Sequence, residues 1–352
     1  MLKRDGSVWA AGSNTFGQLG VYSIRQIMMT NFVEVSPSGD AKGVAAGGEH
    51  SLVLKQDGSV WATGSNMHGQ LGDGSNTDSR SFVQVILGYT KAVAAGAQHS
   101  LAIMQDGSVW TTGFNQHGQL GDGSTTDRSI FMQVILHSTR AVAAGSEHSI
   151  IMKDDGSVWV TGENKQGQLG SGSKRHKVNF MQVISSGVKA IAAGDKHSMV
   201  LKHDGSVWTT GANKYGQLGD GSETDKSSFA QVIFSGVKAI AAGKEHSMVL
   251  DEDGSVSTTG RNNFGQLGNG PRTSRNTFTQ VISSGIQAVG GGGWHSIALN
   301  EDGSVWATGA NTHGQLGDGP TIAKSMYERV IISQDGACYT EPYWIFPLHL
   351  FD

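Results

Sequence analysis

Cysteine, proline and long apolar segments are all scarce in this sequence. Its 352 residues include one cysteine and five prolines. The lone Cys338 excludes an internal disulfide framework. No apolar run reaches the roughly 18 residues of a membrane-spanning helix, and the residues from Met1 to Gly6 lack the apolar core of a signal peptide. We therefore expect a cytoplasmic protein without membrane contact, with the nucleus as the alternative compartment.

A strong excess of charge of either sign is also lacking. The sequence has 26 Lys and Arg against 30 Asp and Glu, a formal net charge of −4, and no basic tail at either end. Nucleic-acid-binding proteins usually carry a basic patch or tail. We expect a monomer that binds other proteins and no nucleic acid.

Glycine, in contrast, is abundant and regularly placed, with 51 residues. The motif Asp-Gly-Ser-Val recurs seven times, first after 52 residues and then every 49, beginning at Asp5, Asp57, Asp106, Asp155, Asp204, Asp253 and Asp302. Gly-Gln-Leu-Gly follows each copy, beginning at Gly17, Gly69, Gly118, Gly167, Gly216, Gly265 and Gly314. His-Ser precedes all copies but the first. Such spacing indicates seven repeats of one structural unit.

Each repeat predicts short strands and no helix. In the second repeat, His50–Lys55 is an apolar run of strand type and Asp57-Gly58 is a hairpin signal. Val60–Thr63 returns as the next strand, and a later strand spans residues 82–86. About 49 residues with four strands is the size of a propeller blade. We therefore predict an all-β fold, a seven-bladed propeller of four-stranded antiparallel blades.

The repeated motifs carry a family resemblance. Gly-x-x-His-Ser, Asp-Gly-x-Val and Gly-x-Asn-x-x-Gly-Gln-Leu-Gly resemble the regulator-of-chromosome-condensation repeat family, over residues 1 to about 332. The resemblance implies a seven-bladed propeller. It does not imply one function, because members include a guanine-nucleotide exchange factor, a plant photoreceptor, parts of HECT ubiquitin ligases and an enzyme inhibitor.

Residues repeated in every blade are expected to serve folding rather than a site. One histidine per blade is too widely spread to share a metal ion, and repeats depend on stacked units. We assign structural roles to His50, His99, His148, His197, His246 and His295. The six tryptophans that follow the repeated valine, and the aromatic residues from Phe32 to Tyr327 at matched positions, are expected in the core.

Partner binding is expected where the repeats differ. One variable pair precedes His-Ser and another precedes Gly-Gln-Leu-Gly. Both lie at the end of the hairpin opposite the Asp-Gly turn, so they share one face of the propeller. We call this the variable-loop face. Its aromatics, predicted to be exposed, suit an interface. The predicted binding residues are Phe16, Glu49, His68, Gln98, His117, Glu147, Lys196, Tyr215, Glu245, Phe264, Trp294 and His313.

The basic run Lys174–Lys177 is a second variable feature, either a solvated loop or a dock for an acidic partner. No nucleophile with its base, metal-ligand cluster or cofactor fingerprint appears. We expect no catalytic residue, no metal and no cofactor, and a non-catalytic protein-binding scaffold. The alternatives are an exchange factor for a small GTPase and a propeller from a larger HECT-type ligase.

We treat residues 1–352 as a single propeller domain whose first repeat is truncated. Met1-Leu2-Lys3 aligns with the end of a His-Ser strand, so blade one lacks most of that strand. An open edge leaves backbone donors unsatisfied. We expect residues near 337–346, within the divergent tail 337–352, to cover this edge; the alternative is that the chain is a fragment.

Deletion of residues 337–352 should therefore lower the melting temperature markedly, because it would uncover the edge of blade one. Circular dichroism melting of the full and shortened chains measures this. An unchanged melting curve would mean that the tail closes nothing.

Overall fold

A computed structural model describes residues 1–21, 27–36, 39–330 and 344–345 of the chain. Within these ranges, 28 strands form seven four-stranded antiparallel sheets without any helix. Accordingly, the described part of the chain contains no helix capable of spanning a membrane. The predictions of an all-β fold and of seven four-stranded blades are confirmed.

Blades two to seven repeat one order of strands. The first strands contact one another from blade to blade and form the innermost ring: β4 (Ala41–Ala46), β8 (Thr90–Ala95), β12 (Thr139–Ala144), β16 (Val188–Ala193), β20 (Val237–Ala242) and β24 (Ile286–Gly291). The second strands carry the His-Ser pair: β5 (His50–Lys55), β9 (His99–Met104), β13 (His148–Lys153), β17 (His197–Lys202), β21 (His246–Asp251) and β25 (His295–Asn300).

The third strands return from the Asp-Gly turn, and the fourth strands lie at the outer edge. The third strands are β6 (Val60–Gly64), β10 (Val109–Gly113), β14 (Val158–Gly162), β18 (Val207–Gly211), β22 (Val256–Gly260) and β26 (Val305–Gly309). The fourth are β7 (Ser79–Ile86), β11 (Arg128–Ile135), β15 (Lys177–Ile184), β19 (Lys226–Ile233), β23 (Arg275–Ile282) and β27 (Lys324–Val330).

Blade one combines both ends of the chain. Its strands are β1 (Leu2–Lys3), β2 (Val8–Ser13), β3 (Met28–Ser36) and β28 (Trp344–Ile345), in the order β28-β1-β2-β3. The short β28 pairs antiparallel with β1, Leu2 opposite Ile345, and so occupies the innermost position. By the 49-residue spacing of the repeats, Trp344 would instead align with His295 and begin a second strand. The rest of the predicted closing tail, 337–343 and 346–352, lies outside the described residues.

The core consists of apolar clusters shared between adjacent blades. One cluster joins Leu52 and Val60 of blade two to Ala102 and Phe131 of blade three, all buried. Because the second strands have neighbours on both faces, successive residues are buried rather than every other one. The matched phenylalanines and Tyr327 do contact the clusters, as predicted. Of the six matched tryptophans, however, only Trp9 is fully buried; the others are half-buried on the third strands.

Glycines of the Gly-Gln-Leu-Gly loop allow one blade to seat on the next. Gly121 has φ +73, and a Cβ there would lie 2.5 Å from ring atoms of Phe180 in the following blade. The same contact closes the ring, since Gly317 of blade seven meets the ring of Phe32 in blade one. The isolated bridge Asn31–Asp318 crosses the same seam.

A hydrogen-bond relay joins consecutive blades. The Ser100 hydroxyl donates to the Gln70 carbonyl of the preceding blade at 2.7 Å. Its oxygen lies 2.8 Å from Nε2 of His50, also in that blade. Since the serine proton is already used, the histidine must donate from Nε2. Four further histidines make the same contact with the next blade's serine, at 2.9–3.0 Å: His99, His148, His197 and His246.

Replacing His148 with Ala should lower the melting temperature by several degrees, because the Ser198 hydroxyl loses its donor and a cavity opens between blades four and five. The loss of one such buried bond costs roughly 1–3 kcal/mol of unfolding free energy. Differential scanning calorimetry measures this, with His313→Ala on an exposed loop as the control. An unchanged melting temperature would contradict the structural role.

The same histidines predict acid lability. Burial lowers their pKa values to about 3 or 4 from 6.5, for His50, His99, His148, His197, His246 and His295. The unfolded chain therefore binds more protons, and stability is lost as the pH falls below about 6.5. Each histidine contributes up to about 1.4 kcal/mol per pH unit. Urea unfolding at pH 7.5, 6 and 5 should show a steep decrease, and a flat profile would exclude the effect.

Candidate functional site

The variable loops meet at one end of each blade, opposite the Asp-Gly turn. The backbone N–H of Glu163, just after the third strand, donates to the carbonyl of Glu147, just before the second strand, at 2.7 Å. Blade six repeats this bond from Arg261 to Glu245. These bonds hold the variable positions together as a continuous variable-loop face.

One side-chain cluster on this face spans blades five to seven. The Arg261 guanidinium lies 4.7 Å from the ring centres of both Tyr215 and Trp294. Its Nη1 is 2.8 Å from a carboxylate oxygen of Glu245. Phe264 lies 5.8 Å from Trp294, centre to centre. We call these five residues the aromatic cluster. Its arginine is oriented by a carboxylate and by two rings, which is a preorganised cation–π arrangement.

A second cluster spans blades two to four. The ring of Phe114 lies 4.7 Å from that of His68 and 6.2 Å from that of His117. Nε2 of His117 is 3.2 Å from a carboxylate oxygen of Glu147. Glu163 lies beside them, and its side chain is almost fully buried. We call these five residues the histidine–carboxylate cluster. His117, Glu147 and Glu163 have the ligand types to hold a metal ion.

The electrostatics of the second cluster are unusual for a surface. Burial, and then the neighbouring Glu163, raise the pKa of Glu147, although His117 and Lys196 oppose the shift. Burial lowers the pKa of His176, whose ring stacks on His117 at 5.1 Å. The raised pKa means that the ionised form of Glu147 is less stable here than in water, and a nearby cation would stabilise that form.

The remaining predicted residues lie on the same face outside both clusters. Glu49 and His313 are exposed, while Phe16, Gln98 and Lys196 are half-buried. The prediction that the face presents exposed aromatics is wrong in degree. Phe16, Tyr215, Phe264 and Trp294 are all half-buried, and in three of them the cause is mutual packing within the aromatic cluster.

Three residues of the two clusters were not among the binding residues predicted from the sequence. Phe114, Glu163 and Arg261 occupy one equivalent position, directly after the glycine that ends the third strand. Across the seven repeats only serine and alanine recur at this position, which holds Ser13, Ser65, Phe114, Glu163, Ala212, Arg261 and Ala310. The variability that identified the two pairs therefore marked this position as well.

Two residues of the basic run Lys174–Lys177 interact with nearby groups of the propeller. Nδ1 of His176 accepts from the backbone N–H of Asn164 at 3.3 Å, where blade three uses Asp127 and Asn115 at 2.8 Å. The Lys174 ammonium lies 3.9 Å from a carboxylate oxygen of Asp225. His176 thus completes the loop fold and extends the second cluster by stacking on His117.

Comparisons with known proteins agree with this architecture. A family model described as the RCC1-like domain matches residues 132–340. Models of the regulator of chromosome condensation (RCC1) repeat match residues 5–54, 57–103 and 106–152, as well as 41–70 and 91–119. The fold and its inter-blade contacts define a seven-bladed repeat propeller. The chain belongs to the family of RCC1-repeat proteins.

Individual relatives are more distant. The protein RCC2 homolog of Xenopus laevis is 37% identical over 79 residues, which are 22% of this chain and 15% of that protein. The human X-linked retinitis pigmentosa GTPase regulator is 37% identical over 86 residues, 24% of this chain and 8% of that protein. The chain thus matches only a small part of the curated relatives.

Among solved structures, Prp20p from Saccharomyces cerevisiae, reported with its binding to Gsp1p and histones, superposes with a TM-score of 0.84. The superposition covers 92% of this chain and 86% of that one at 21% identity. At this identity the likeness concerns the fold.

Proposed function

We propose that the chain is a non-catalytic scaffold that binds another protein through the variable-loop face. The observation that carries the proposal is the aromatic cluster, in which three blades place Tyr215, Phe264 and Trp294 around Arg261. Tryptophan, tyrosine and arginine are the residues most enriched in binding hot spots. Tyr215, Arg261 and Trp294 are each found at their position in one blade only, and Phe264 recurs only as Phe16 of blade one, so folding of a blade does not require them.

Preorganisation supports the same proposal. The three rings and the guanidinium already contact one another, so less side-chain freedom is lost when a partner binds. The relay between blades keeps their separation fixed. A rigid scaffold that carries variable loops is the usual location of binding residues.

The charge of this region favours an acidic partner surface. The exposed Lys214 lies with its ammonium 5.5 Å from the Tyr215 ring centre, and the exposed Lys244 lies 5.0 Å from that of Trp294. Together with Arg261 they outnumber Glu245. We therefore propose a partner that offers a carboxylate-rich rim around an apolar anchor, bound by a monomer in the cytoplasm.

Exchange of nucleotide on a small GTPase is the second candidate. Relatives favour it, since Prp20p has been studied for binding to Gsp1p and another relative is named a GTPase regulator. Release of a fluorescent GDP analogue from a panel of small GTPases, with and without this chain, separates an exchange factor from a scaffold. Acceleration of release would replace the non-catalytic proposal.

Simultaneous replacement of Tyr215, Phe264 and Trp294 with Ala should weaken the partner by about 2 kcal/mol or more, which is roughly 30-fold in Kd. The partner is first isolated by affinity capture with mass spectrometry, and its Kd is then measured with purified proteins. Circular dichroism checks that the fold is intact.

The matched control replaces three large exposed apolar side chains near the Asp-Gly turns, on the opposite face. These are Leu87, Leu136 and Phe234, exposed by 87, 72 and 82%. They should tolerate Ala without loss of affinity. If only this control weakens binding, the partner uses the opposite face and the proposal is wrong.

A further inference from the structure

We infer that His117, Glu147 and Glu163 bind one divalent transition-metal ion of the zinc type at the junction of blades three and four. The inference rests on the donor set and its position, and it is independent of the proposed protein partner.

The three donor groups already converge. His117 comes from the loop of blade three, whereas Glu147 and Glu163 flank the second and third strands of blade four. One ligand atom from each residue lies within 4.8 Å of the other two. Donors around a tetrahedral zinc ion are about 3.3 Å apart, so small side-chain rotations close the site.

The two movable donors are the exposed ones. The side chains of His117 and Glu147 are 26 and 34% exposed, whereas that of Glu163 is 5% exposed. The buried carboxylate therefore forms a fixed base, and the other two close over it from the solvent side. Three protein donors with an open solvent side leave a position for water, as in many zinc sites.

The buried charge of Glu163 is poorly compensated. The Lys165 ammonium is 3.7 Å from one of its oxygens, but that side chain is 61% exposed. Such solvated pairs contribute little. The other oxygen accepts from the Gln168 amide at 3.3 Å. Burial of two adjacent carboxylates is costly unless a proton or a cation lies between them, and the carboxyl groups of Glu147 and Glu163 are hydrogen-bonded to each other. A bound metal ion would take the place of the shared proton.

Blade six shows how the same fold meets this cost with its own residues. Its equivalents of Glu147 and Glu163 are Glu245 and Arg261, which form an ion pair at 2.8 Å. In blade four the arginine is replaced by a second carboxylate, and an imidazole from the neighbouring blade is added. Where blade six has the cation of Arg261, the junction of blades three and four therefore has three groups of metal-ligand type.

The donor types select the metal. An imidazole nitrogen with two carboxylates suits zinc and similar first-row ions, whereas calcium requires six to eight oxygens. His176 supports rather than ligates. Its Nδ1 accepts from the Asn164 N–H, and its ring stacks on His117 with an interplanar angle of 19°. This stacking fixes the plane of the ligating imidazole, as partners of metal-bound histidines do.

Zinc chloride alone is titrated into the untagged, chelator-treated full chain by isothermal calorimetry, with no protein partner present. Cobalt(II) absorption in the visible region reports coordination at the same site. We expect one equivalent to bind more tightly than any further zinc. His117→Ala and Glu163→Arg should each weaken it at least tenfold.

Glu163→Arg recreates the ion pair of blade six and should fold normally. If the Glu163→Arg variant does not fold, the Glu163→Gln variant is measured in its place. Glu49→Gln, at the equivalent of Glu147 in blade two, is the control and should bind zinc as the unchanged chain does. Absence of a tight equivalent, or a tight equivalent that survives Glu163→Arg, overturns the inference. Either result leaves the partner-binding proposal untouched, because that depends on the aromatic cluster.

Discussion

The contact on which this propeller depends is a serine hydroxyl held between two groups of the preceding blade. It accepts from a histidine Nε2 and donates to a glutamine carbonyl, as Ser149 does with His99 and Gln119. Both bonds are fully buried and therefore costly to lose. They fix the histidine tautomer, and they leave Nδ1 without a partner in the five histidines of the relay. The folded state thus requires these imidazoles to be neutral, and their role is structural.

Because adjacent blades are joined at this depth, the loops above are free to vary without endangering the ring. The variation on this face lies in the two variable pairs and in the residue that follows the third strand. Where neighbouring blades carry complementary side chains, the result is a cluster that crosses the junction, and the contents differ around the ring. Aromatic and cationic groups occupy one side, with Arg261 at their centre. Imidazoles and carboxylates occupy the other, around Glu163.

The repeat made most of the fold predictable. Fixed spacing predicted the blades, the hairpins and the face on which the variable loops lie, because these depend on residues that every repeat shares. The sequence could not show which side chains meet. Phe114 and His68 come from different repeats, and their contact depends on the angle between blades. The half-burial of Trp294 has the same origin. The register of Trp344 was misjudged because the tail lacks the repeated motif that anchors every alignment.

The relay runs in one sense from blade two to blade seven, since each of its five serines bonds to the blade before it. These five junctions are therefore head to tail, with two different surfaces on each blade. Whole units can be duplicated or lost by recombination without creating a mismatched junction, provided that the curvature still closes. A blade that presented its two surfaces in the opposite order would offer no glutamine carbonyl to the serine hydroxyl of the next blade. Such a chain can therefore evolve a different number of blades only by whole blades. New binding properties can arise by substitution of the few loop residues that the contacts of the relay do not involve.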